Sequence, residues 1–288
     1  MDLALIVSVQ VLYAIATLVI ISAGLAVIFG MMRVINLAHG EFLMLGAYSA
    51  IFATKAGINI WIAMLVVAPI CVGLFGIVVE RLIIRHLYGR MVDTMLATWG
   101  LSLLCVGLVT SFIGNTTSGV STPEGNFSMG AYSVSFYTMA LIVIAVLLLF
   151  AIRWVLRSTD WGLIARGTMQ NPAMADVLGI SPTRVYSITF AVGAALSGLA
   201  GGLLAPVSGV VPTMGASFIA KAFITVIGGG SSILAGTASA SALFGLINQL
   251  ATFITTPVFG EVALFIAAVV MLRMLPQGIT GRFFKGSL

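Results

Sequence analysis

The stretch "RVINLAHGEF", Arg33 to Phe42, decides how the rest of the chain is read. Arg33, Asn36, His39 and Glu41 fall within nine positions of a chain that has only 13 basic and 8 acidic residues. The flanking segments "LAVIFGMM" and "FLMLGAYSAIFA" are almost purely apolar. A polar cluster here interrupts what would otherwise be continuous membrane-spanning sequence.

Across all 288 residues, 60% are hydrophobic and 7% charged. A soluble domain carries about 25% charged residues. A surface so poor in charge cannot be wetted, so the solvent is lipid and the protein is integral to a membrane. The opening "MDLALIVSVQ" has Asp2 and no basic residue before a long apolar run. That pattern predicts a retained first span rather than a cleaved signal. Cys71 and Cys105 sit in apolar runs without CxxC spacing and read as small packing residues.

Apolar runs of roughly 20 residues cross a bilayer as helices. The sequence predicts an all-α, polytopic fold of about eight spans. They lie near 3–30, 40–56, 59–80, 94–114, 133–152, 184–206, 233–254 and 258–275, with a shorter run near 218–228. Small residues recur within the spans, as in "GAALSGLAGGLLA", and allow helices to approach closely in lipid. The whole of 1–288 reads as one transmembrane domain.

The net charge of +5 raises the question of a nucleic-acid partner, which the positions of the basic residues answer. Arg81, Arg85 and Arg90 share one loop, and Arg153, Arg157, Arg166 and Arg184 another. Arg273, Arg282 and Lys285 mark the C-terminal end, while 115–132 and 207–217 have no basic residue. The positive-inside rule places the first set in the cytoplasm, with the N-terminus external and the C-terminus cytoplasmic. No nucleic acid is expected. The crossings agree if the chain turns at the cytoplasmic side near 31–39 and again near 228–232. Both places read as broken or re-entrant helices, a pointer to a transport pathway. Asn36 is expected to cap a helix that restarts through Gly40, and Gly228, Gly229 and Gly230 to break the second segment.

Several chemistries are excluded. No lysine stands in a GK[ST] context, so the chain has no Walker A phosphate loop. His39 and His86 are the only histidines and HExxH is absent, which leaves little basis for zinc chemistry. An enzyme is not expected and no cofactor is called for. The single "NPA", Asn171 to Ala173, lies in a basic loop and is explained by helix-start chemistry rather than by a water channel.

The segment "DWGLIARGTMQNPAMADVLGISPTR", residues 160–184, is the longest polar break on the basic side. Asn171 and Pro172 predict a helix start, and Gly179 its end. Ala173, Met174, Ala175, Val177 and Leu178 make a short apolar patch that suits either a groove on a partner protein or the membrane surface. Lys221 either snorkels to the interface or lines the external mouth of a pathway. Arg33, His39 and Glu41 either pin the turn by mutual attraction or face a cavity. Thr98 and Trp99 add polar atoms to the fourth span, for helix contacts or for substrate.

The combination of motifs is specific. "GLAVIFGMMRVINLAHGEFLMLGAY", "GLIARGTMQNPAMADVLGISPTRVYSITFAVGAALSGLAGGLLA", "AKAFITVIGGGSSILAGTASASALFG" and "LPQGITGRF" resemble, in order and spacing, the LivH-type permease subunits of branched-chain amino acid ABC importers. The resemblance covers about residues 14 to 284. It implies a bacterial inner-membrane subunit paired with a second, similar permease. Two cytoplasmic ATPase subunits would bind the ATP, and an external binding protein would deliver substrate. It also implies that the loop at about 157–184 couples to the ATPases. Ala175, Leu178, Gly179 and Ile180 match that segment best, Gly162, Arg166 and Arg184 match its flanks, and Asn171 and Asp176 lie within it. The pathway is then expected to involve Arg33, Asn36, His39, Gly40, Glu41, Thr98, Trp99, Lys221 and Gly228–Gly230. "ATWGLSL" and "TMQNPAMA" are closer to the urea-transporting branch of the family, so urea or short amides stand as alternative substrates. A stand-alone channel or carrier for small amides is the rival from another class.

Overall fold

A computed structural model describes residues 2–123, 125–129, 132–230 and 232–283. Among them, seven helices are long and apolar enough to cross a membrane. In chain order the first elements are α1 (Asp2–Met32), α2 (His39–Lys55) and α3 (Ile60–Ile62), which runs through a π-helical turn (Ala63–Val67) into α4 (Ala68–Leu82). Next come α5 (Met91–Ile113), a hairpin of β1 (Asn126–Met129) and β2 (Tyr132–Ser135), α6 (Phe136–Ser158), α7 (Asp160–Gln170) and α8 (Pro172–Val177). The chain ends through α9 (Pro182–Ser208), α10 (Gly215–Gly229), α11 (Ile233–Ile254), α12 (Pro257–Met274) and α13 (Gly278–Phe283).

Sequence explains several of these boundaries. Pro69 cannot donate an amide hydrogen and its ring crowds the carbonyl a turn earlier, so the helix widens into π geometry just before it. Thr159 makes the sharp corner between α6 and α7. Its hydroxyl donates to the Val155 carbonyl at 2.6 Å and accepts from the Gly162 amide at 3.1 Å. The antiparallel hairpin pairs Asn126 with Ser135 and Met129 with Tyr132. It was not foreseen in the basic-poor loop, where strands this short leave little periodic signal. The extreme basic residue Lys285 lies outside the described residues.

Two compact units divide the chain, and α1, α6 and α10 each contribute to both. The larger comprises 23–121 and 151–220. Its central helix is α2, with residues buried on every side. Phe42 meets Phe75 and Phe190 edge to face, with ring centroids 5.6 and 6.0 Å apart. The run Gly193–Gly202 in α9 makes this packing possible. A Cβ on Gly46 would strike the Gly198 backbone, and one on Gly201 would strike the Leu43 carbonyl. On its other flank, α9 receives α4: a Cβ on Gly73 would stand 3.2 Å from that of Ala195. Helix association in lipid relies on such close contact, because there is no hydrophobic gain in burying one apolar helix against another.

The smaller unit comprises 1–22, 122–150 and 221–288. Here α11 and α12 form a helical hairpin, with Gly260 seated against Asn248 and Thr252. Gly245 sits against the backbone of Ile15 in α1, and Phe244 and Tyr137 are buried.

Candidate functional site

The interruption at 33–38 is built from α1, α2, α5 and α9. Arg33 reverses the chain with φ 52°, the sole non-glycine residue at positive φ among those described. Left-handed backbone costs an L-residue about 1–2 kcal/mol. The following residues then climb along α5. Leu37 donates its amide hydrogen to Thr98 Oγ1 at 3.0 Å, and the Thr98 hydroxyl donates in turn to the Thr94 carbonyl at 2.8 Å. Backbone outside a helix at membrane depth needs such partners, since lipid supplies none. Thr98 is the eighth of the 23 residues of α5, so the break sits within the bundle rather than at its rim.

Asn36 does not cap α2 as expected. Its Oδ1 accepts from the Ala38 amide at 3.0 Å, forming an Asx turn, and Ala38 occupies the N-cap position. The short side chain satisfied its own neighbour before the helix began. His39 is fully buried, with Nδ1 3.1 Å from Ser197 Oγ in the middle of α9. Because the Ser197 hydroxyl donates to the Gly193 carbonyl at 2.8 Å, the pair is best satisfied with the proton on His39 Nδ1. Gly40 lies in backbone contact with Gly215, so the first turns of α2 and α10 meet, and a side chain at either position would collide.

Three polar atoms of this region have no hydrogen-bond partner among the described residues: Asn36 Nδ2, Glu41 Oε2 and Tyr48 OH. Each buried, unsatisfied polar group costs about 1–3 kcal/mol. Ser102 of α5 lies beside Glu41 as a hydrogen-bonding neighbour. Arg33 is exposed and lines a cavity of about 310 Å³ with Arg90, Tyr88 and Tyr186. Tyr88 donates to the buried carboxylate of Glu80 at 2.5 Å. Burial, and then the hydrogen bond to Glu80, push the Tyr88 phenol above its ordinary range. Trp99, in contrast, is 55% exposed and faces away from the break.

In the smaller unit, Lys221 Nζ bonds Glu261 Oε1 of α12 at 2.5 Å. Glu261 was missed by the sequence reading, since nothing local links positions 40 residues apart. Gly230 has φ 86°, and Gly229 touches the Gly236 backbone. Thr280 of α13 is fully buried, donates to the Gly229 carbonyl at 2.6 Å and accepts from the Ser232 amide at 3.1 Å. The motif "LPQGITGRF" is therefore a clamp on the glycine break. Gly228 is packed by Phe244 and Met271.

The 157–184 loop folds into α7 and α8. Gly162 is pressed against the Val155 and Leu156 carbonyls, and Arg166 Nε donates to the Gly162 carbonyl at 3.2 Å. Asn171 caps α8 by accepting from the Met174 amide at 3.0 Å. Gly179, φ 81°, ends it: its amide donates to Asp176, and that of Ile180 to Ala175 at 2.9 Å. That pair of bonds is a Schellman motif. Ala175 turns inward and is buried, whereas Val177 and Leu178 are 83% and 71% exposed. Asp176 and Arg184 also face outward.

Apolar helices around a buried polar interruption define a polytopic membrane transport subunit. A family model described as branched-chain amino acid transport system / permease component matches residues 7–275, and the chain belongs to that family. It is 27% identical to the high-affinity branched-chain amino acid transport permease LivH of Salmonella typhimurium, over 93% of this chain and 92% of that protein. It is 26% identical to BraD of Pseudomonas aeruginosa, over 93% and 92%. The probable LivH of Methanocaldococcus jannaschii is also 26% identical, over 93% and 90%. No solved structure matches the chain. The chain is thus a membrane permease subunit and not an enzyme.

Proposed function

We propose that this subunit forms part of the translocation pathway for branched-chain or other hydrophobic amino acids in an importer driven by separate ATPase subunits. A second, similar permease and an external binding protein complete the assembly. Family membership carries this reading, together with a permease sequence that has no Walker A motif of its own. The basic residues favour an inner-membrane orientation with the N-terminus external and the C-terminus cytoplasmic.

Within the larger unit, Asn36, His39, Gly40, Glu41 and Thr98 form a closed polar interruption. The unpartnered atoms of Asn36 and Glu41 support a role in meeting water or substrate once the contacts around Gly40 loosen. Arg33 retains a strained backbone that glycine would relieve, which supports a use for its guanidinium. Lys221 with its partner Glu261, and the clamped break at Gly228–Gly230, are read as separate elements of the pathway. Trp99 is assigned to the outer surface of the subunit rather than to the path.

Coupling falls to 157–184. Gly162, Arg166, Asn171, Asp176, Gly179, Ile180 and Arg184 shape and anchor α7 and α8, and the outward Val177 and Leu178 offer an apolar contact to an ATPase. Purification of the tagged chain from its native membrane tests the assembly. Recovery with two ATPase subunits and a second permease is expected. Recovery alone, with retained transport, would overturn the reading in favour of a stand-alone carrier or channel.

A further inference from the structure

A groove of about 860 Å³ in the larger unit runs between α4 and α9 and belongs to neither the polar interruption nor α8. Its floor is made of Gly73, Ala191 and Ala195, where the two helices approach too closely for larger side chains. Its walls are branched aliphatics: Ile70, Leu74 and Ile77 from α4, and Ile188 and Val192 from α9. Leu74 is 59% exposed and Ile70 55%. From Ile70 to Ile77 the apolar stretch is about 10 Å long at 1.5 Å per residue. That length lies within the roughly 15 Å hydrocarbon depth of one leaflet.

One end of the groove is different in kind. Arg81, Arg85 and Arg184 converge there with the hydroxyls of Ser181 and Thr183, and no acidic side chain lines the groove. Arg85 lies 3.5 Å from the buried Glu80. Arg81 and Arg184 are exposed and make no ion pair among the described residues. An apolar channel that fits within one leaflet and ends in unpaired guanidiniums and hydroxyls complements an amphiphile with an anionic head. Guanidinium forks match phosphate oxygens, and hydroxyls add donors.

We propose that this groove is a binding site for an anionic glycerophospholipid, with acyl chain on Leu74 and Ile188 and phosphate on Arg81 and Arg184. The bound lipid braces the start of α9, immediately after the Gly179 turn, and so ties the coupling segment to the bilayer. Its assignment to the cytoplasmic leaflet rests on the orientation proposed above. Basic pockets between helices on that face are suited to such head groups.

The test uses the purified assembly in mild detergent with photo-activatable phosphatidylglycerol and phosphatidylcholine, each carrying the reactive group on an acyl chain. Expected labelling is on peptides around Leu74 and Ile188, with phosphatidylglycerol favoured. Arg81→Gln should weaken phosphatidylglycerol labelling about fivefold, and Arg81→Gln with Arg184→Gln further, as each basic residue near an anionic head group contributes comparably. Leu74→Trp, which fills the wall without touching charge, should reduce labelling by both lipids. Equal labelling by the two lipids, or indifference to the arginine changes, would overturn the proposal. So would occupation by protein, seen as crosslinks from a photo-reactive residue at 188 to a second permease copy. Ser181→Cys, probed with a membrane-impermeant thiol reagent from either side, reports the orientation separately. Labelling is read without transport, so failure of the amino acid assignment leaves this result interpretable.

Discussion

At residue 33 the chain turns through left-handed backbone without a glycine, and it then depends on Thr98 to satisfy the amide it exposes. Arg33→Gly should raise the thermal unfolding midpoint of the purified protein, since it relieves about 1 kcal/mol of strain. Arg33→Val should lower it. Thr98→Val leaves the Leu37 amide without an acceptor and should cost about 1–3 kcal/mol, whereas Thr98→Ser should be nearly neutral. The same melting experiment reads both. Much of this neighbourhood was legible in the sequence, because polar residues in an apolar run have few innocent explanations. Its partners were not. Ser197 lies 158 residues from His39 and looks like one more small residue in a glycine-rich helix. The cap assigned to Asn36 failed because an Asx turn and an N-cap use the same side chain at nearly the same spacing.

Among the elements, α2 and α8 carry the account. Gly40→Val would drive a branched side chain into the Gly215 backbone. It should reduce the yield of folded, monodisperse protein well below that of Gly100→Val, where a Cβ meets nothing. Gly179→Pro would impose φ near −65° where the chain has 81°, and would remove the amide that bonds Asp176. Uptake should be abolished while membrane insertion is retained. Normal uptake would contradict the coupling role of this turn. The boundaries of α8 were readable because Asn-Pro and glycine are local signals. The division of its apolar patch was not, since only packing decides that Ala175 faces inward and Val177 outward.

For the molecule as a whole, membrane residence and an all-helical fold follow from composition and run length. Of the eight spans expected, seven are matched by long apolar helices among the described residues, and α2, at 17 residues, is the one that falls short. The division into two compact units was not readable, because α1, α6 and α10 pass through both without any change in composition. Long-range pairs such as Lys221 with Glu261 were equally hidden. Exchanging that pair, Lys221→Glu with Glu261→Lys, should retain more folded protein than either single change, as judged by detergent-extracted yield. The substrate bears on the whole assembly and is tested on intact cells. The most direct measurement is uptake of labelled leucine with and without this gene, in the presence and absence of unlabelled urea. Leucine uptake that is lost with the gene and indifferent to urea is the expected result. Uptake unchanged by loss of the gene would contradict the amino acid assignment, and labelled urea would then be the substrate to measure.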